Sequence, residues 1–337
     1  STLSDLHLKY KLGRMLLKRE GRSDSEWLDM PVAFYREANI RMICDAITYA
    51  RSKGIEQIEF AAEDASRGSL DYAIEWAEAC IEAGGTRFCF SDTCGVFTPE
   101  GVDHYFPPIV EALGVQNGRV DLTAHFHNDF GLGALNTVRA VMHGATHPSI
   151  TANGIGERAG NTSLHQFVMV LKELYGVTLP RFQYHRLHEL RKAVERISGI
   201  PIQVHEPIIG EGVFSHESGM HTSAILVHPA IYQFIREEEV GGVHRFVFGK
   251  HSGAGALEEV LKKNEELLEA HGVTLTDDLV RSALERVKEI RGVMIEEGST
   301  KTVVNRYYED YHRLGITETA LVEIVLEMGK SSVPSED

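Results

Sequence analysis

Two imidazoles one residue apart, His125 and His127, lie directly after an apolar run, Val120–Ala124. In an extended strand residues i and i+2 share a face. Both rings can therefore converge on one cation, and neutral imidazole is a common ligand for zinc and other divalent metals. Two surface histidines at a strand end are the other reading of the same spacing. Glu63-Asp64 ends a second apolar run, Ile58–Ala62, with Arg67 close behind. Carboxylates in that place can orient a substrate, act as a base or hold a metal-bound water. Asp64 and Ser66 could equally form a helix-capping cluster. Ser91-Asp92-Thr93-Cys94-Gly95 closes a third run, and a threonine hydroxyl there can bind a substrate carboxylate. Cys94 lacks an adjacent activating histidine and reads as structural. Asn153-Gly-Ile-Gly-Glu-Arg-Ala-Gly-Asn161 is glycine-rich, which permits close backbone approach. Arg158 can pair there with Glu157 or an anion, although a plain turn and cap also explains the segment. His216-Glu-Ser-Gly-Met-His221 and Tyr232 lie further on. The chain has 17 histidines, so most must be bystanders.

Bringing these groups to one place requires strands that end together. The sequence alternates accordingly. A helix is expected over 31–53, with Pro31 in its first turn and Gly54 as its stop. Strand Ile55–Ala62 comes next, then a helix capped by Ser69 that ends at Gly84-Gly85. Strand 86–91 precedes a helix opened by Thr98-Pro99-Glu100, then strand Val120–Ala124. A helix around Leu135–His143 closes at Gly144, strand Ser149–Ala152 is next, and 162–175 is helical again. Such repetition implies a parallel sheet with helices outside it. Polar residues at the strand ends favour a (β/α)8 barrel, with its active site at that end. A doubly wound open sheet is the runner-up, but no GxGxxG comes after a first strand.

After about residue 200 the rhythm breaks, and 253–295 and 300–314 read as charged helices before a disordered tail at Ser331–Asp337. The expected domains are 1–200, a barrel; 201–255, a linking subdomain; and 256–337, a helical subdomain. The 337 residues are 43% hydrophobic and 25% charged, enough for such cores. The formal net charge of −15 argues against nucleic acid or an anionic membrane surface as the main partner. No apolar run approaches the roughly 20 residues that span a bilayer, and no signal peptide opens the chain. Cys44, Cys80, Cys89 and Cys94 lack CxxC spacing, which suits reduced thiols and a cytoplasmic location.

Taken together, these segments resemble the acyl-CoA-dependent 2-oxoacid synthases: the isopropylmalate, homocitrate, citramalate and Re-type citrate synthases of the DRE-TIM metallolyase superfamily. The matching stretches are Ser4-Asp-Leu-His7 with Lys9 and Lys11, Phe60–Arg67, Ser91–Gly95, His125–Asp129, Asn153–Asn161, Phe214–His221 and Phe248–Gly253. The resemblance implies a (β/α)8 TIM barrel and a divalent metal ion, Zn, Mn, Co or Mg. It implies metal ligation by His125, His127 and Asn161. Glu63 would lie beside the metal, and Thr93, His7 and Arg67 would be substrate contacts. His221 and Tyr232 would be an acid/base pair reaching into the partner subunit's site of a homodimer. The implied reaction joins acetyl-CoA to a 2-oxoacid and hydrolyses the thioester. Homocitrate synthase-like chemistry comes first, then isopropylmalate, citramalate or Re-citrate synthase-like chemistry. An aldolase or acyl-CoA lyase on the same barrel, or a non-catalytic subunit, is the alternative.

Two departures stand out. The family's opening strand carries an aspartate metal ligand and an arginine, and no match is present. Arg19-Glu20-Gly21 is a decoy, continued by Arg22-Ser23. The expectation is a barrel that begins near its third strand, completed by another chain or an upstream segment. Ala61 also stands where many relatives carry a serine. No segment matches the family's leucine-feedback domain.

Overall fold

Three apolar runs and a short fourth segment become four parallel strands in the computed structural model: β1 (Glu59–Ala62), β2 (Arg87–Asp92), β3 (Asp121–Phe126) and β4 (His147–Ser149), the last of which ends where the expected strand Ser149–Ala152 begins. The structure describes residues 1–216, 219–248 and 253–296, grouped as two compact units, Ser1–Phe182 and Gln183–Asp337. In the first unit the sheet order is β1-β2-β3-β4. A doubly wound sheet reverses its order at a switch point; among the described strands the order runs straight through, the α/β arrangement of consecutive barrel units. Thr2 adds a parallel bridge to Glu63 at the β1 edge, where Leu3 N–H donates to Glu63 O at 3.0 Å. Ser4 then caps α1 (Asp5–Tyr10), so the Ser4–His7 motif is a cap and helix turn directly after this bridge.

The connecting helices are α2 (Gly13–Arg19), α3 (Val32–Ser52), α4 (Leu70–Glu82), α5 (Pro99–Ala112), α6 (Gly133–Met142) and α7 (Leu164–Tyr175). Their limits obey the local chemistry. Pro31 sits at the start of α3, and Gly54 (φ +84°) stops it. Thr98 Oγ1 accepts the Gly101 N–H at 3.2 Å to cap α5. Ser69 holds the cap position of α4 without making that bond. Arg19 and Glu20 pair with Asp45 and Arg41 on the helical surface, which accounts for the decoy segment.

Strand alternation divides the sheet. Phe60, Ala62, Phe88, Phe90, Leu122, Ala124 and Phe126 are buried. Trp76 of α4 packs on Phe60 and Phe88 at ring distances of 5.6 and 5.9 Å. Phe106 of α5 packs on Phe90 and Phe126 at 5.2 and 6.0 Å. The alternate positions, including Ala61, Ser91, Thr123 and His125, occupy the other face. Register sets Ser91 opposite His125 and His125 opposite Ser149.

The second unit contains α8 (Leu187–Ser198), β5 (Ser215–His216), α9 (Gly219–Val227), α10 (Glu237–Val240), β6 (Arg245–Phe246), α11 (Ala254–Lys262), α12 (Glu265–Ala270) and α13 (Asp277–Glu296). It begins at Gln183. The reason is that α8 is tied to the loop on its C-terminal side. Arg191, only 5% exposed at its side chain, donates to Ile209 O at 2.8 Å and pairs with Glu211. Glu217, Ser218, Lys250, His251, the expected helix 300–314 and the tail Ser331–Asp337 lie outside the described residues. Among the described residues no helix is long and apolar enough to cross a membrane.

This packing sets two measurable outcomes. Trp76→Ala removes the ring packed on the stacked Phe60 and Phe88 and should destabilise the first unit by about 3–5 kcal/mol in chemical denaturation. In the second unit, Arg191 holds the Glu211 carboxyl below its ordinary value. A depressed carboxyl stabilises the fold above its unfolded value, and that contribution is lost as pH falls through the folded value. Glu211→Gln should therefore flatten the acid limb of the thermal-stability profile between neutral pH and about pH 3.

Candidate functional site

The strand ends bear two groups of polar side chains. At the end of β1, Asp64 adopts φ +57°, and its fully buried carboxylate receives Arg67 Nε and Nη2 at 2.8 and 2.7 Å. Its N–H donates to Thr93 Oγ1 at 2.8 Å. Glu63 pairs with Lys11 and lies 3.5 Å from His7 Nδ1; His7 Nε2 lies 3.7 Å from Asp64. His7, Glu63, Arg67 and Thr93 are thus one neighbourhood. Arg67, however, is doubly engaged by Asp64, so it shapes the loop rather than standing free.

At the end of β3, His125 Nε2 and His127 Nε2 approach to 3.3 Å. Ser149 Oγ holds His125 Nδ1 at 2.9 Å. The chain then returns after β4, and Asn161 forms an antiparallel bridge with His127. Asn161 Nδ2 lies 3.3 Å from His125 Nε2. This return needs glycine: a Cβ on Gly156 would lie 1.7 Å from Asn161 Oδ1, and one on Gly160 2.0 Å from Gly154 O. Arg158 (φ +57°) grips Asp129 through two bonds of 2.8 and 2.9 Å.

Burial lowers the pKa of both imidazoles; the neighbouring His127 adds to the effect at His125, and Arg158 at His127. Both rings are therefore neutral with lone pairs available. Their spacing suits a shared ion, since bonds of about 2.1 Å in a tetrahedron set ligand nitrogens about 3.4 Å apart. His127 Nδ1 is buried without a hydrogen-bond partner among the described residues. Rotation of the Asn161 amide would present its oxygen beside His125, since amide O and N are an assignment. Among the described residues no cluster of three His, Cys, Asp or Glu side chains completes a metal site. The donor set fits a divalent ion but supplies only part of its shell.

His221 and Tyr232 belong to the second unit, where their rings stack at 4.1 Å and 21°. Burial pushes the Cys94 thiol up, in keeping with a structural role. The sequence reading missed two supports. Ser149 is found only from strand register. Asp92 is fully buried and accepts from Ser66 Oγ at 2.6 Å, Val96 N at 3.1 Å and Phe97 N at 3.0 Å. Its position at a strand end was the one available signal.

Known proteins share this chain's pattern. Residues 28–194 match the HMGL-like family, and residues 208–293 match the homocitrate synthase post-HMGL domain-like family. A probable 2-isopropylmalate synthase of Ignicoccus hospitalis is 36% identical over 312 residues, 92% of this chain and 70% of that protein. The chain belongs to the isopropylmalate, citramalate and homocitrate synthase family. A Methanopyrus kandleri protein bearing the name of an (R)-citramalate synthase is 38% identical over 80% of the chain. A probable 2-isopropylmalate synthase of the same organism is 37% identical over 85%. The chain spans about half the length of these two Methanopyrus relatives, 51% in each case.

Asp92→Ala should leave three donors around the strand ends without their acceptor. The expected loss is about 3 kcal/mol of stability, read from the denaturation midpoint.

Proposed function

We propose that this family member forms the catalytic site of a synthase that condenses acetyl-CoA with a 2-oxoacid and hydrolyses the thioester. The approach of His125 and His127 at one strand end, beside Asn161, is the observation that carries the reading. Nε2 of both histidines and the amide oxygen of Asn161 would hold the divalent ion. When bound, the ion supplies Lewis acidity to the 2-oxoacid carbonyl. A further carboxylate ligand and an arginine come from residues outside this chain's described set, in a second chain or segment.

The remaining chemistry belongs to side chains. The Thr93 hydroxyl accepts from Asp64 N–H and keeps its own proton to donate to the substrate carboxylate. Glu63, held between His7 and Lys11, orients the 2-oxoacid. His221 and Tyr232 act in the partner subunit of a homodimer. There they accept a proton from the acetyl methyl group and return one to the new alkoxide. The enolate carbon attacks the ketone carbon, and water cleaves the thioester to release CoA. The free cysteines fit a cytoplasmic location.

The names of the relatives, isopropylmalate and citramalate synthases, favour a monocarboxylic 2-oxoacid as the substrate. The homocitrate preference, which requires 2-oxoglutarate, has only the second domain's description behind it.

In the complete assembly, acetyl-CoA should release CoA with 2-oxoisovalerate or pyruvate, seen with a thiol reagent, and more slowly with 2-oxoglutarate. Absence of CoA release with every 2-oxoacid and a divalent ion present would sink the synthase reading. Calorimetric titration of the chain with Zn or Mn should show weakening of about 10–100-fold in Gly156→Ala, whose new Cβ displaces Asn161, and greater loss in His127→Ala.

A further inference from the structure

Acyl-CoA is a polyanion, and a chain of net charge −15 must meet it through a local reversal of sign. One segment provides that reversal. From Leu6 to Arg19 the sequence carries Lys9, Lys11, Arg14, Lys18 and Arg19 and no carboxylate. Folding into α1 and α2 fully buries Leu8, Leu16 and Leu17 and leaves Lys11, Arg14 and Lys18 exposed. Arg14 and Lys18, four residues apart, share one face of α2. Lys11 is taken by Glu63 and Arg19 by Asp45. Among the described residues Lys9, Arg14 and Lys18 have no acidic partner.

Aromatic surface lies within this basic patch. The Arg14 guanidinium sits 5.1 Å over the Trp27 ring. Tyr10 meets Trp27 edge-on at 5.5 Å and 84°, and is 61% exposed. A purine can stack on such a ring while guanidinium and ammonium groups take phosphates. The position also fits. Residues 1–3 run along β1 and lead straight into α1, and His7 and Lys11 of this segment reach Glu63. A ligand lying along α2 and α1 therefore arrives at the strand end that bears Glu63.

We propose that Tyr10, Arg14, Lys18 and Trp27 form the subsite for the 3′-phosphorylated adenosine diphosphate portion of acyl-CoA. This rests on the synthase reading for the identity of the thioester end. The pantetheine arm would run from the patch toward Glu63, and the nucleotide would stay on the helices.

The chain has two tryptophans, and Trp76 is fully buried, so quenching of emission by an added nucleotide reports on Trp27. Free CoA and adenosine 3′,5′-bisphosphate should each quench the full-length chain saturably, with affinity falling as salt rises. Dephospho-CoA should bind more weakly. The Arg14→Glu/Lys18→Glu double variant, altered only at exposed positions, should lose about tenfold in CoA affinity or more, with an unchanged circular dichroism spectrum. Absence of quenching, or a double variant within about twofold of the parent, overturns the subsite. A mixed-sequence oligonucleotide that binds more tightly than CoA also overturns it. The synthase reading fails separately: an assembly that shows no condensation but keeps charge-dependent CoA binding retains the subsite and loses that reaction. Condensation with a KM for acetyl-CoA unmoved by the double variant does the reverse.

Discussion

The strand ends of this protein are held in place by one buried carboxylate. Asp92 sits at the end of β2 with no exposure, and its two oxygens bind the loop after β1 through Ser66 and its own succeeding loop through Val96 and Phe97. Its backbone oxygen also receives His127 N–H, at 3.4 Å. Three successive strand ends are thereby referred to one residue. A buried carboxylate is costly unless fully bonded, so the loops that satisfy it have little freedom to move. The imidazoles of β3 and the Glu63-Asp64 turn of β1 inherit that rigidity, and a site that must place ligand atoms closely depends on such support.

Much of this was legible in the sequence, and the reason is local. Pro31, Gly54, Thr98 and Gly144 act within a few residues of where they stand, so three strands and the helices around them could be read in order, while β4 lies just before its expected place. The convergence of His125 and His127 was legible because strand geometry fixes i and i+2. Features that depend on pairing between segments needed the fold. Ser149 behind His125 comes from register, and the engagement of Arg67 by Asp64 comes from a left-handed turn. The unit boundary at Gln183 comes from a buried arginine, Arg191, that reaches forward to Ile209 and Glu211.

Charge shows a comparable division between average and place. The overall excess of acid says little about the strand ends, where Arg67, Arg158 and Lys11 are each neutralised by a specific carboxylate. These pairs set backbone conformation. They leave the neutral imidazoles of β3 as the available electron-pair donors, and they leave the unpaired cations on the neighbouring helices.

The antiparallel bridge between His127 and Asn161 has a further consequence. It joins two points separated by α6, β4 and the whole glycine-rich return. Asn161 is synthesised after β1 to β3, so those strands can assemble while its arm is still unordered, and the arrangement around His125 is completed only when the later βα segment docks. The age of the nascent chain, and not just its sequence, decides when the two imidazoles and the Asn161 amide first come together.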